Sequence, residues 1–168
     1  AGTLRQAIIN AQASADAAST ITFSAGLDGT TITLIGFSND TSGGSKEFGA
    51  SAFFINQTKT ITIDAAIGMV HGVTLARDTV AADYPGSPAT APNFRLFDVG
   101  VGSTLTLRGL KLSNGVAQGG GSGFGGGALG AGGSIFNQGT LIAERCTFAD
   151  NQASGGALNA YMATDVQH

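Results

Sequence analysis

The sequence predicts an all-β chain wound as one solenoid, and three observations predict it. A strand phrase of alternating apolar residues and threonine recurs, as TITF at 20–23, TITL at 31–34, TITI at 60–63 and GVTL at 72–75. Residues 103–114 lie over residues 139–151 with their apolar positions matched, Leu105 to Leu141, Leu107 to Ala143, Leu110 to Cys146 and Leu112 to Phe148. Glycine pairs punctuate the second half, and from Gly132-Gly133 to Gly155-Gly156 the pattern advances by 23 residues. A repeat of roughly 20–25 residues built only of short strands and turns stacks into a coil, because each unit buries its apolar face on its neighbours. The expected architecture is a parallel β-helix with about 23 residues per rung.

The elements follow in chain order. In TLRQAIINAQASA, Leu4, Ala7, Ile8 and Ala11 fall at helical spacing and form one apolar stripe. Thr3 with Gln6 three residues on is a capping box, so an amphipathic helix is expected over residues 3–15. After Ser19 the helical period vanishes, and the phrases above, then LTLRGLKL at 105–112 and LIAERCTF at 141–148, read as strands with one buried face. No helical segment of useful length separates them, which excludes an alternating strand and helix order. Asn114, Asn137 and Asn151 suit turns, where asparagine tolerates left-handed backbone and can bond a neighbouring rung. Cys146 and Phe148 replace leucines at inward positions and are expected in the core. Three polar excursions, 36–51, 76–93 and 114–134, should leave the coil as loops. The whole of 1–168 reads as a single domain, expected to be a piece of a longer chain or open at its C-terminal end, since GGALNAYMATDVQH begins another unit without closing it.

Composition bounds the function. Apolar residues make up 42% and charged residues only 11%, and the net charge is −3. With no basic patch, nucleic acid and anionic membranes are poor partners. One cysteine permits no internal disulfide framework. No stretch approaches the roughly 18 apolar residues of a membrane span, and any secretion signal is expected to have been removed already, since the sequence does not open on a charged and apolar leader.

GGAL at 126–129, GGAL at 155–158 and FADN at 148–151 resemble the GGA[ILV] and FxxN repeats of polymorphic outer membrane proteins. The opening GTLRQAIINAQ is similar to the SLREAIxxAN start of bacterial β-helix surface proteins with a CSLREA-type motif, lacking the leading cysteine and with Gln6 where glutamate is usual. The resemblance implies a right-handed, pectate-lyase-like coil in a secreted or cell-surface bacterial protein. It also implies that the N-terminal helix plugs one end of the coil, a task the stripe of Leu4, Ala7, Ile8 and Ala11 suits.

Catalytic patterns are sparse. Inverting glycoside hydrolysis on such a coil needs carboxylates roughly 6.5–9.5 Å apart. The Asp-Asp, Gly-His-Gly and Arg-Ile-Lys signatures are absent, and SND at 38–40 and VHG at 70–72 stand in the wrong order. Asp64, Asp78 and Asp83 with Arg77 are the lyase-like candidates, and strand ends and turn caps explain them better. Gly121, Gly123 and Gly126 match a GxGxxG spacing without the flanking strand and helix that phosphate binding needs. His71 and His168 are too isolated for a metal site. No catalytic residue, metal or cofactor is assigned. Asn39 and Asn56 head sequons that matter only in a eukaryote.

One outward pattern remains. Thr20, Thr22, Thr31, Thr33, Thr60, Thr62, Thr104 and Thr106 form Thr-x-Thr pairs, a candidate interaction face if they stack on one flat surface. The favoured function is a non-catalytic surface module for adhesion or assembly, partnered by protein neighbours, further rungs or surface glycans. The alternatives are the stalk of a polysaccharide lyase or glycoside hydrolase, and ice binding through the threonine pairs.

Overall fold

The computed structural model describes residues 3–36, 49–56, 58–83, 85–86, 88–120 and 129–156. One α-helix, α1 (Leu4–Ala13), precedes thirteen strands among them. These are β1 (Ala18–Thr22), β2 (Thr31–Leu34), β3 (Ser51–Ile55), β4 (Thr60–Asp64), β5 (Val73–Arg77), β6 (Arg95–Val99) and β7 (Thr104–Arg108). There follow β8 (Leu110–Ser113), β9 (Val116–Gln118), β10 (Ile135–Asn137), β11 (Thr140–Glu144), β12 (Thr147–Ala149) and β13 (Gln152–Ser154). The chain is therefore mostly β, and every strand pairing is parallel. Four sheets result, ordered β1-β4-β7-β11, β2-β5-β8-β12, β3-β6-β10 and β9-β13. The chain visits the first three sheets in the same cyclic order on successive passes: β1 to β3, β4 to β6, then β7, β8 and β10. The fourth pass supplies β11 and β12, and β13 joins β9.

Parallel neighbours are a whole pass apart, and that distance corrects the expected repeat. Thr60 pairs with Thr104, 44 residues on, and Thr104 with Thr140, 36 residues on. The 23-residue step between glycine pairs is not the stacking period. Gly133 and Gly156 stand where two backbones pass close together: a Cβ on Gly133 would overlap Gln152, and one on Gly156 would overlap Gly120. Such contacts occur more than once per pass, so counting between them undercounts the pass.

The core lies between the sheets and is built of stacked like residues. Ile21, Ile63, Leu107 and Ala143 form one inward column, and Ile32, Leu75, Leu112 and Phe148 another. Ile61, Ile63, Leu75, Leu105, Leu107 and Leu112 are fully buried. Each such side chain contributes about 1.5–3 kcal/mol on leaving water. Phe53 and Phe97 add an aromatic pair in the third sheet, with ring centroids 5.2 Å apart. Buried Arg77 ties the corners together, its Nε donating to the Asn114 carbonyl at 2.6 Å and its Nη1 to those of Asp78 and Pro92 at 3.1 Å.

The helix is shorter than the expected 3–15. It stops at Ala13 because Ser14 turns extended and its hydroxyl takes the Asp16 N–H. The loop bounds shift as well: Ser51 opens β3, Ala76 and Arg77 close β5, and Val116–Gln118 is β9. Most of the first excursion and the GxGxxG stretch lie outside the described residues.

Candidate functional site

The two ends of the stack differ, and the difference starts with single side chains. At the N-terminal end Thr3 accepts the Gln6 N–H at 3.1 Å and starts α1, while the Gln6 side chain turns to Asn10 rather than closing the capping box. Ile8 is 2% exposed and Ala11 is buried with it, and Leu4 and Ala7 are half-buried beside them. The polar residues of α1 meet the first strands directly. Arg5 donates to the carbonyls of Ala52 and Gly36 at 2.6 and 2.8 Å, and its guanidinium lies 5.2 Å from the Phe53 ring centre. Burial holds the Arg5 pKa below its usual value. Gln12 accepts the Asn56 N–H at 2.8 Å. The helix thus satisfies backbone groups that the first pass leaves without a strand neighbour. Sequence reasoning found the apolar stripe and missed Arg5 and Gln12, whose spacing of seven residues sets them on that same side.

At the opposite end nothing comparable lies over β11, β12 and β13 among the described residues. Leu141, Ala143, Cys146 and Phe148 stand over Leu105, Leu107, Leu110 and Leu112, as their alignment implies, yet Ala143 and Phe148 are exposed and Leu141 and Cys146 only half-buried. Phe148 is 48% exposed, which corrects its expected place in the core, while Leu112 directly beneath it is fully buried. Cys146 is half-buried, its thiol donating to the Leu107 carbonyl at 3.4 Å. The inward alternation continues into the last pass, but among the described residues no strand or helix lies over it as α1 lies over β3.

Of the asparagines expected in turns, Asn151 binds one pass to the next through its side chain. Asn114 adopts φ +61°. Asn151 donates to the Leu112 carbonyl at 2.9 Å and accepts the Gly115 N–H at 2.8 Å. Asn137 closes β10 instead of sitting in a turn, and its side chain accepts the Gly139 N–H at 3.2 Å.

The threonines do not make one flat array. Thr31 and Thr33 belong to the second sheet and the other six to the first. Within the first sheet, Thr20, Thr62 and Thr106 share a column that ends at Ile142, and Thr106 is buried. Thr22 heads a different column, followed by Asp64, Arg108 and Glu144. There Arg108 Nε donates to Glu144 Oε2 at 2.9 Å, and its Nη1 lies 3.7 Å from Asp64 Oδ2. Glu144 first, then Asp64, hold the Arg108 pKa above its ordinary value.

The carboxylates considered for catalysis stay apart in role. Asp64 is bound to Arg108 and to the Ala66 N–H, Asp78 accepts the Val80 N–H, and Asp83 ends a 3-10 turn. His71 meets Asp28 at a corner, beside a surface notch of about 160 Å³ that Met69, Gly109 and Arg145 also line. No group of three or more histidine, cysteine or acidic side chains able to hold a metal occurs among the described residues. No helix among them is long and apolar enough to cross a membrane. Compared with known protein families, curated proteins and solved structures, the chain matches none.

Proposed function

We propose that the chain is a right-handed parallel β-helix serving as a non-catalytic assembly or adhesion module at a bacterial cell surface. The cyclic order of parallel strands and the stacked apolar columns support the coil. The resemblance of the helix opening and of the GGAL and FADN repeats to bacterial surface proteins supports the handedness and the location. The observation that carries the functional reading is the contrast between the ends. α1 covers one, while at the other β11 to β13 present apolar side chains and strand edges that pair with no other strand among the described residues. An exposed strand edge is a template for further pairing. The module works, on this reading, by continuing its stack against further rungs or a protein neighbour.

Native mass spectrometry of material isolated from its source, paired with amide exchange, tests this. A mass above 16.7 kDa, together with protected β11 amides, is expected. A clean 16.7 kDa species whose β11 to β13 amides exchange freely would overturn the reading.

A further inference from the structure

We infer that the edge of β11, which pairs with no further strand among the described residues, takes a parallel strand carrying two apolar residues spaced two apart and then, directly after, a lysine or arginine that seats on Glu144. The inference rests on the assembly reading above and adds the chemistry of the partner. Its basis is the outward column Thr22, Asp64, Arg108, Glu144, in which three consecutive strands alternate in charge. Arg108 is shared between a carboxylate on each neighbouring strand, 2.9 Å from Glu144 and 3.7 Å from Asp64. Glu144 has this cation on its β7 side, and its side chain is 48% exposed. Strands lie about 4.8 Å apart, so a cation on the next strand would stand to Glu144 as Arg108 stands to Asp64. An acidic residue there would repel it.

The inward columns fix the rest of the pattern. Leu141 and Ala143 lie over Leu105 and Leu107, and both want an apolar residue above them. The required pattern is apolar, any, apolar, cation, which is the order of Leu105, Thr106, Leu107 and Arg108 in β7 itself. A second copy of the chain fits less well. Its β11, Thr140–Glu144, contains no cation to set against Glu144, and its first strand, β1, offers Thr22 at that column and is packed against α1.

The probe is a labelled peptide copying residues 103–114, titrated into the full chain and followed by fluorescence anisotropy, with amide exchange to locate it. The native peptide is expected to bind and to protect the β11 amides, more weakly as salt rises. Arg108→Glu in the peptide should weaken binding about fivefold, and Glu144→Arg in the protein should restore that peptide. Glu144→Gln, which keeps the side-chain shape, should give an intermediate loss with the native peptide even if the reversed variant folds poorly. Equal binding of both peptides to every variant would overturn the charge pairing and leave the edge as an assembly surface. No binding of the native peptide would overturn the inference, while the native-mass result still decides the assembly reading. Self-association that protects β11 without peptide would also overturn it, the occupant then being a second copy.

Discussion

Gly72 shows how much of this molecule is decided by single backbone positions. Gly29, Gly72, Gly109 and Arg145 stand at the corner leading into the second sheet on successive passes, with φ of +71°, +69°, +63° and +53°. The left-handed backbone costs a side-chain-bearing residue roughly 1–2 kcal/mol, so glycine is the natural occupant. At Gly72 a Cβ would also overlap the Gly109 carbonyl oxygen of the next pass. Gly72→Ala is therefore expected to destabilise by about 2–4 kcal/mol, combining overlap with strain. Arg145→Gly, at the same corner of the last pass, should instead gain up to about 1 kcal/mol. Urea denaturation of the two variants checks the pair, and a loss at both positions would refute the corner argument. The neighbouring Asp28 predicts a pH effect. The His71 N–H donates to its carboxylate at 2.8 Å, and this, with further help from the His71 ring, holds the Asp28 pKa below its usual value. A depressed carboxyl pKa contributes stability that is present above the unfolded value of about 3.9 and is lost as the pH falls through the folded value. Asp28→Asn keeps an oxygen for the N–H donors but takes up no proton, so its melting temperature should fall less steeply than that of the parent below about pH 4. Parallel melting curves from neutral to acid pH would check this, and identical slopes would contradict it.

Among the elements, α1 shows polar side chains closing a β edge. Arg5 binds carbonyls in β3 and just after β2, and Gln12 an N–H just after β3, so removing the guanidinium should leave the Ala52 and Gly36 carbonyls without their donor. Arg5→Met, which keeps the apolar stem over Phe53, is expected to cost about 1–3 kcal/mol. It should speed amide exchange in β3 more than in β7, and a uniform increase across both strands would argue against a local role. The same element marks what the sequence could and could not say. The apolar stripe and the Thr3 cap were legible because both are local patterns. The Arg5 bonds were not, because their partners are carbonyls 31 and 47 residues away. Likewise the first two strands of each pass announce themselves by alternation, whereas SAFFI and RLFDV do not. Both are buried almost throughout, so they carry no period of two. Missing that third strand let a 23-residue step stand for a pass of 36 to 44, although laying residues 103–114 over 139–151 already contained the 36-residue offset.

Across the whole molecule, burial falls along the stack from the middle passes to the last. Leu105, Leu107, Leu110 and Leu112 are at most 1% exposed, while Phe148, over Leu112 in the last pass, reaches 48%, and in the neighbouring outward column Thr106 at 7% is followed by Ile142 at 42%. In a stack where each pass touches only its neighbours, local stability is close to a sum of pass and interface terms. Among the described residues the last pass has one interface and the middle passes have two. The same kind of inward position should then carry very different energies along the axis. Leu112→Ala is expected to cost about 2–4 kcal/mol, since its cavity would be enclosed by Leu75 below and Phe148 above. Phe148→Ala, one strand further on in the same column, should cost about 1 kcal/mol or less, because half of that ring already meets water. In the isolated chain, without a partner, amide exchange should follow the same gradient, slow in β4 to β8 and fast in β11 to β13. The comparison also separates a free end from a covered one. If a partner strand seats on β11 and β12, the cost of Phe148→Ala measured in the complex should rise toward that of Leu112→Ala, because the added strand supplies the second interface that the isolated chain lacks. Equal costs at the two positions in the isolated chain would mean that the last pass is already covered, and the open edge would lose its physical basis.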